Sequence, residues 1–112
     1  MKNKTTPVFR IAFAMYWHNE QLCFVFRGAS KQVVCNVFSN MNNLCGDCCI
    51  EYGKLSNILN GKPYRSVTAT VTEPRTDILP EADWPIMIER LLHKPMPCEV
   101  TYYDDINKLL NV

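Results

Sequence analysis

Residues 34–61 read VCNVFSNMNNLCGDCCIEYGKLSNILNG, and they hold the most distinctive chemistry of the chain. Four of the six cysteines of the chain lie in this stretch: Cys35, Cys45, Cys48 and Cys49. The asparagine-rich run 40–43 indicates a turn, because asparagine tolerates left-handed backbone and hydrogen-bonds to its own main chain. Gly46 then allows a tight bend. The sequence therefore predicts a cysteine-bearing loop that leads into the next element.

A helix is predicted to follow this bend. Asp47 can cap it by accepting hydrogen bonds from the first turn, and the Asn-Gly pair at 60–61 supplies a left-handed stop. The apolar positions with helical spacing are Cys48, Tyr52, Leu55 and Leu59. This assignment puts Cys48 and Cys49 in the first helical turn, where the helix dipole favours a thiolate.

Three interpretations of these thiols compete. The favoured one treats them as small buried hydrophobic side chains, since unpaired cysteine is among the most buried residue types. The second is a zinc site, in which the C-x-x-C pair Cys45 and Cys48 is completed by Cys35 and Cys49. It lacks the second well-spaced pair that strong zinc signatures carry. The third is a thiol-dependent redox or nucleophilic enzyme that uses Cys48.

The remaining chain alternates between strand and helix patterns. Apolar and polar residues alternate with the period of a strand in five segments: 8–17, 22–27, 32–38, 64–72 and 98–103. Further helices are predicted after Asp83, over 84–93, and after Asp104 or Asp105. With the helix after Gly46, the order is β-β-β-α-β-α-β-α. The class is α+β, with one mostly antiparallel sheet and the helices packed on one face.

The threonines of the 64–72 strand occupy one side of it. We interpret this row as the solvent-facing side of a half-exposed strand at a sheet edge. The alternative is that this edge strand pairs with a second copy of the chain to form a homodimer.

Length and composition limit the classes of protein that fit. The 112 residues suffice for one compact domain, and 47% apolar with 21% charged residues is typical of a globular chain. The polar segment 1–7 is expected to be flexible. No apolar stretch is long enough to span a bilayer, and the run before Ala14 is too short for a secretory signal and contains Arg10. We therefore expect a cytoplasmic protein with reduced thiols and no membrane partner.

Charge and motifs argue against several functions. The net charge is only +1, whereas a nucleic-acid-binding domain usually carries a clustered basic stripe. No non-specific nucleic-acid binding is therefore expected. The phosphate-binding and hydrolase motifs are missing, and the four glycines are dispersed. His18 fits a turn and His93 fits a helix C-terminus. We predict no catalytic residue, hence no enzyme, and no cofactor beyond the zinc alternative.

The segment 73–81, EPRTDILPE, is the longest predicted irregular connection. Loops of this kind commonly carry binding residues, and two adjacent apolar side chains here can anchor a partner. The acidic neighbours can steer a basic partner. The predicted partner-binding residues are Arg75, Asp77, Ile78, Leu79, Glu81 and Asp83. The sequence thus favours a small protein-binding module, acting as a stoichiometric inhibitor, an immunity-type protein or an adaptor.

Overall fold

The computed structural model describes residues 9–41, 43, 44, 46, 48–54, 65–94 and 97–110. The predictions for residues 1–7, for Cys45 and Asp47, and for the helix beyond residue 54 lie outside these ranges. Within them the elements are β1 (Phe9–His18), β2 (Gln21–Arg27), α1 (Lys31–Ser39), β3 (Cys48–Lys54), β4 (Arg65–Val71), α2 (Trp84–His93), β5 (Cys98–Tyr103) and α3 (Ile106–Leu110). A single 3₁₀ turn, Glu81–Asp83, leads into α2.

The five strands form one mixed sheet in the order β3-β4-β2-β1-β5. Three of the four pairings are antiparallel, and β5 runs parallel to β1. Helices α1 and α2 pack on one face, while α3 packs on the other face against β1 and β5. The predicted α+β class with a mostly antiparallel sheet is confirmed, and α3 departs from the prediction that all helices share a face.

The main core lies between the sheet and the two helices α1 and α2. Alternate residues of β1 and β2 point into it, among them Phe13, Phe24 and Phe26, which are fully buried. The ring centroid of Phe24 lies 5.3 Å from that of Phe38 on α1 and 5.9 Å from that of Trp84 on α2. These contacts join both helices to the centre of the sheet, because each aromatic pair adds stability beyond the burial of its area.

The third predicted strand, 32–38, is wrong: this segment belongs to helix α1. The Ser30 side chain caps the helix by accepting a 3.2 Å hydrogen bond from the backbone N–H of Val33. Val34, Val37 and Phe38 are buried, with Met41 one turn further on, which is the spacing of a helical face. The β-branched valines suggest a strand by propensity, but the cap and the helical spacing of the buried residues prevail.

The helix predicted from Cys48 is also wrong where the chain is described, because Cys48–Lys54 is strand β3. Cys48 and Ile50 pack against the core, while Cys49 and Glu51 are exposed. This is the two-residue period of a strand with one buried face. The two adjacent cysteines therefore do not occupy a helix N-terminus, and the dipole argument for a thiolate at Cys48 does not apply.

Strand β4 lies inside the sheet, between β3 and β2, so its predicted place at an edge is wrong. Its apolar residues face the core as expected: Val67, Ala69 and Val71 are buried. Thr68 and Thr70 are half-buried on the opposite face. Both edges of β4 already pair with other strands. A homodimer therefore cannot form by pairing a strand of a second copy with β4.

The predicted positions of the other described elements are confirmed. Asn19 and Glu20 both have positive φ, at 51° and 65°, as a two-residue turn between β1 and β2 requires. Helix α2 buries Trp84, Ile88 and Leu92. The Asp105 carboxylate caps α3 by accepting a 2.9 Å hydrogen bond from the Asn107 N–H. Asp83 occupies the N-cap position of α2, but its side chain makes no cap hydrogen bond.

Gly28, which follows β2, cannot carry a side chain without a change of backbone. Its φ is +84°, and a Cβ atom there would lie 2.2 Å from the carbonyl oxygen of Arg10. We expect Gly28→Ala to lower the free energy of unfolding by about 1–3 kcal/mol, through backbone strain and the displaced β1. Urea denaturation measures the change. Lys31→Ala, a nearby substitution at an exposed position of α1, serves as the control, and equal stability of wild type and Gly28→Ala would refute this expectation.

Candidate interaction surface

The segment that follows β4 forms a compact hydrogen-bonded turn. The backbone N–H groups of Ile78 and Leu79 both donate to the carbonyl of Arg75, at 3.1 and 3.0 Å. The Arg75 N–H in turn donates to the carbonyl of Leu44 at 2.8 Å. The Arg75 guanidinium makes two 3.0 Å hydrogen bonds to the Asp77 carboxylate, and this hydrogen bonding lowers the pKa of Asp77. These contacts fix the turn and present the apolar residues that follow it.

Ile78 and Leu79, the two predicted anchors, have different environments. Leu79 is half-buried and packs against the core, and its carbonyl accepts a 2.9 Å hydrogen bond from the indole of buried Trp84. Ile78 is 54% exposed. Leu79 therefore attaches the turn to the start of α2, while Ile78 faces outward.

A groove of about 280 Å³ lies beside this turn. Its lining residues are Leu79, Asp83, Ile86, Met87 and Arg90. Asp83, at the N-cap position of α2, and the three lining residues from α2 share one helical face, since positions three and four apart are neighbours on a helix. Ile86 is 54% exposed, and it lies about one helical turn from both Asp83 and Arg90. The groove thus has an apolar centre with opposite charges at its two ends.

Two exposed aromatic side chains adjoin the same segment. Trp17, at the end of β1, donates its indole N–H to the carboxylate of Glu81. Tyr102, on β5, packs with its ring centroid 5.2 Å from that of Phe13. Burial raises the pKa of Tyr102, and the charges of Asp104 and Glu81 raise it further. Glu81 is therefore close to both aromatic residues.

We call the combined feature the 78–86 surface. Its members are Trp17, Ile78, Leu79, Glu81, Asp83, Ile86, Met87, Arg90 and Tyr102. Four of the six residues predicted for partner binding belong to it, and the other two, Arg75 and Asp77, bind each other and hold the turn. Ile86 could have been found in the sequence, because it is an apolar residue on the outward side of α2. Trp17 and Tyr102 could not, since only the strand register brings them here.

The cysteines of the 34–61 stretch do not converge in the part of the chain that is described. Cys48 and Cys49 point to opposite faces of β3, and Cys35 is half-buried on α1. Cys45 lies outside the described ranges. Among the described residues, no group of three or more His, Cys, Asp or Glu side chains is arranged to hold a metal ion.

Thiol reactivity should follow exposure. Cys23 and Cys98 are buried, and burial raises the pKa of both thiols, whereas Cys49 is exposed. Because the thiolate is the reactive form, we expect iodoacetamide at pH 8 to modify Cys49 at least about tenfold faster than Cys23 or Cys98. Time-resolved peptide mass spectrometry measures the three rates. Modification of Cys23 as fast as Cys49 in the folded chain would contradict this expectation, and the urea-unfolded chain is the control in which the rates should converge.

Comparison of the chain with protein-family models, with curated proteins and with solved structures found no match. None of the helices in the described ranges is long and apolar enough to cross a membrane.

Proposed function

We propose that this chain is a non-enzymatic protein-binding module that contacts its partner through the 78–86 surface. One observation carries the proposal. The large hydrophobic side chains that are exposed in the described ranges are Trp17, Ile78, Ile86 and Tyr102. Trp17 and Tyr102 are near Glu81, and Ile78 and Ile86 lie before and after Glu81 in the chain. Single exposed apolar residues are ordinary, but a cluster of them with a polar rim is typical of an interaction site.

The composition of the surface supports a protein as the partner. Tryptophan and tyrosine are enriched among the residues that dominate binding energy at protein interfaces. The groove between Leu79 and α2 is large enough for one or two apolar side chains of a partner. Asp83 and Arg90, at the two ends of the groove, can orient the partner residues that flank the inserted side chain.

Charge supports a partner with a basic rim. Between residues 73 and 90 the chain has five acidic side chains and two arginines. Asp77 is paired with Arg75, which leaves Asp83 at one end of the groove and Glu81 beside the Trp17 indole as acidic groups of the surface. A partner that presents a large apolar side chain flanked by lysine or arginine would complement this pattern, and its association rate should fall as salt is added.

The functions that fit this surface require only binding to a partner. A stoichiometric inhibitor, an immunity-type protein or an adaptor works by occupying a surface of its partner. Two carboxylates support this interpretation, because Glu81 binds the Trp17 indole and Asp77, in the adjoining turn, binds the Arg75 guanidinium. Within the proposal the complex forms in the cytoplasm, where the cysteines would stay reduced.

Site-specific photo-crosslinking tests the proposal. A photoreactive amino acid at position 86 should give one dominant covalent adduct, with one copy of the chain and one of the partner, after irradiation in the native host. The matched control carries the same amino acid at position 32, an exposed residue of α1. The adduct should be absent there. The same adduct at equal yield from both positions, or only adducts of the chain with itself, would contradict the proposal.

A further inference from the structure

One face of α2 carries opposite charges on either side of an apolar centre. Asp83, at the N-cap position, and Arg90, in the last turn, are separated by about two helical turns, or about 10 Å along the helix axis. Positions two turns apart lie on the same side of a helix. Ile86 and Met87 occupy the middle of this interval, and both line the groove beside the turn. A negative, an apolar and a positive position therefore follow one another along α2.

This face of α2 points away from the core. The buried residues of the helix are Trp84, Ile88 and Leu92, whose spacing puts them on one side of it. Ile86 and Arg90 lie on the opposite side, and both are exposed. A second helix can therefore approach α2 along the whole interval.

The two charges of this face have no partner among the described residues. The ion pairs in those ranges do not include Asp83 or Arg90. The Asp83 side chain also makes no hydrogen bond that caps α2. The ion pair within α2 joins His93 to Glu89 instead, at 3.8 Å. Asp83 and Arg90 can therefore pair with groups of another molecule without first breaking a contact in this chain.

We propose that α2 pairs with α2 of a second copy of the chain, antiparallel, about a two-fold axis between Ile86 and Met87. Asp83 and Arg90 are equally far from this axis, so each Asp83 lies opposite the Arg90 of the other copy. Ile86 of one copy then faces Met87 of the other. Each copy thus offers the other an apolar side chain with an arginine about one turn away, which is the pattern that complements the groove.

The charges set the orientation of this dimer, and the apolar centre supplies most of its affinity. Exposed ion pairs contribute little to affinity, but a parallel arrangement would bring like charges together at both ends. Helices that cross at about 20° stay in contact over two turns, which keeps both charge pairs within reach. Contact through one helix is small compared with the interface of a permanent dimer, so we expect a dissociation constant on the order of 100 µM.

The dimer covers part of the 78–86 surface. This consequence rests on the proposed function: a second copy and a heterologous partner then compete for the same groove. Because the dimer is weak, a partner that binds more tightly displaces the second copy. The chain is therefore a dimer only where it is concentrated and its partner is absent.

Sedimentation equilibrium of the purified chain at low ionic strength tests the dimer. The mass of the wild type should rise from monomer toward dimer between about 10 µM and 1 mM. Asp83→Arg and Arg90→Asp should each weaken self-association at least about tenfold, because each puts like charges together at both ends. An equimolar mixture of the two variants should regain the wild-type dissociation constant within about threefold, since the mixed pair has opposite charges at both ends. This recovery also requires that both variants are folded.

Glu51→Arg is the matched control, because it makes the same change of charge as Asp83→Arg at an exposed position of β3. It should dimerise like the wild type. A wild type that stays monomeric to about 1 mM would overturn the inference. So would single variants that dimerise as well as the wild type, or a mixture that associates no better than either variant alone. The measurement needs no heterologous partner, so its failure is distinct from a failure of the crosslinking test.

Discussion

Phe24→Ala is expected to lower the free energy of unfolding by about 3–5 kcal/mol, the range for removal of a buried aromatic ring. Phe24 is fully buried at the centre of the sheet, and its ring packs against Phe26, Phe38 and Trp84. The substitution leaves a cavity where both helices meet the sheet. Since small domains are stable by only about 5–15 kcal/mol, a large part of the total would be lost.

Urea denaturation followed by tryptophan fluorescence measures this loss. Ile78→Ala is the control, because it shortens a hydrophobic side chain that is 54% exposed, and we expect it to change stability by less than about 0.5 kcal/mol. A loss below about 1 kcal/mol for Phe24→Ala would mean that the aromatic cluster does not hold α1 and α2 on the sheet.

Ile86→Asp is expected to weaken binding of the crosslinked partner by about thirtyfold or more, equivalent to about 2 kcal/mol. The substitution puts a carboxylate at the apolar centre of the groove, near Asp83, and burial of that charge in a complex is costly. Because Ile86 is more than half exposed, the free protein should keep its stability. Isothermal titration calorimetry with the purified partner gives the two dissociation constants.

Gln32→Glu provides the control for added negative charge. Gln32 is exposed on α1, and the substitution changes the net charge by the same amount without touching the groove. Its dissociation constant should stay within about twofold of wild type. If Ile86→Asp and Gln32→Glu bind equally well, the groove beside α2 is not part of the interface.

The sequence correctly predicts the elements in which the residue pattern favours only a strand or only a helix. In β1, β2, β4 and β5 the apolar residues alternate with the period of a strand, and α2 combines a helical stripe with Pro85 in its first turn. In these segments local pattern and tertiary environment agree. Their bounds in the structure lie within one or two residues of those predicted from the sequence.

The two elements that the sequence predicts wrongly are those in which signals for a helix and for a strand conflict. The α1 segment contains three valines and alternates weakly, yet Ser30 and the spacing of Val34, Val37 and Phe38 indicate a helix. In β3 the apolar residues fit either period, and the adjacent strand β4 provides a hydrogen-bonding edge that decides between them. The candidate surface was predictable only in part, since the turn at Ile78 is local whereas Trp17 and Tyr102 join it through strand pairing and packing.

Hydrogen–deuterium exchange of the free and bound protein tests the 78–86 surface most directly. With the partner at saturation, we expect amide exchange to slow in residues 76–90 and around Trp17 and Tyr102. Exchange in strand β3, at the sheet edge farthest from β5, should stay unchanged. Protection confined to β3, with residues 76–90 exchanging as fast as in the free protein, would contradict the proposed interface.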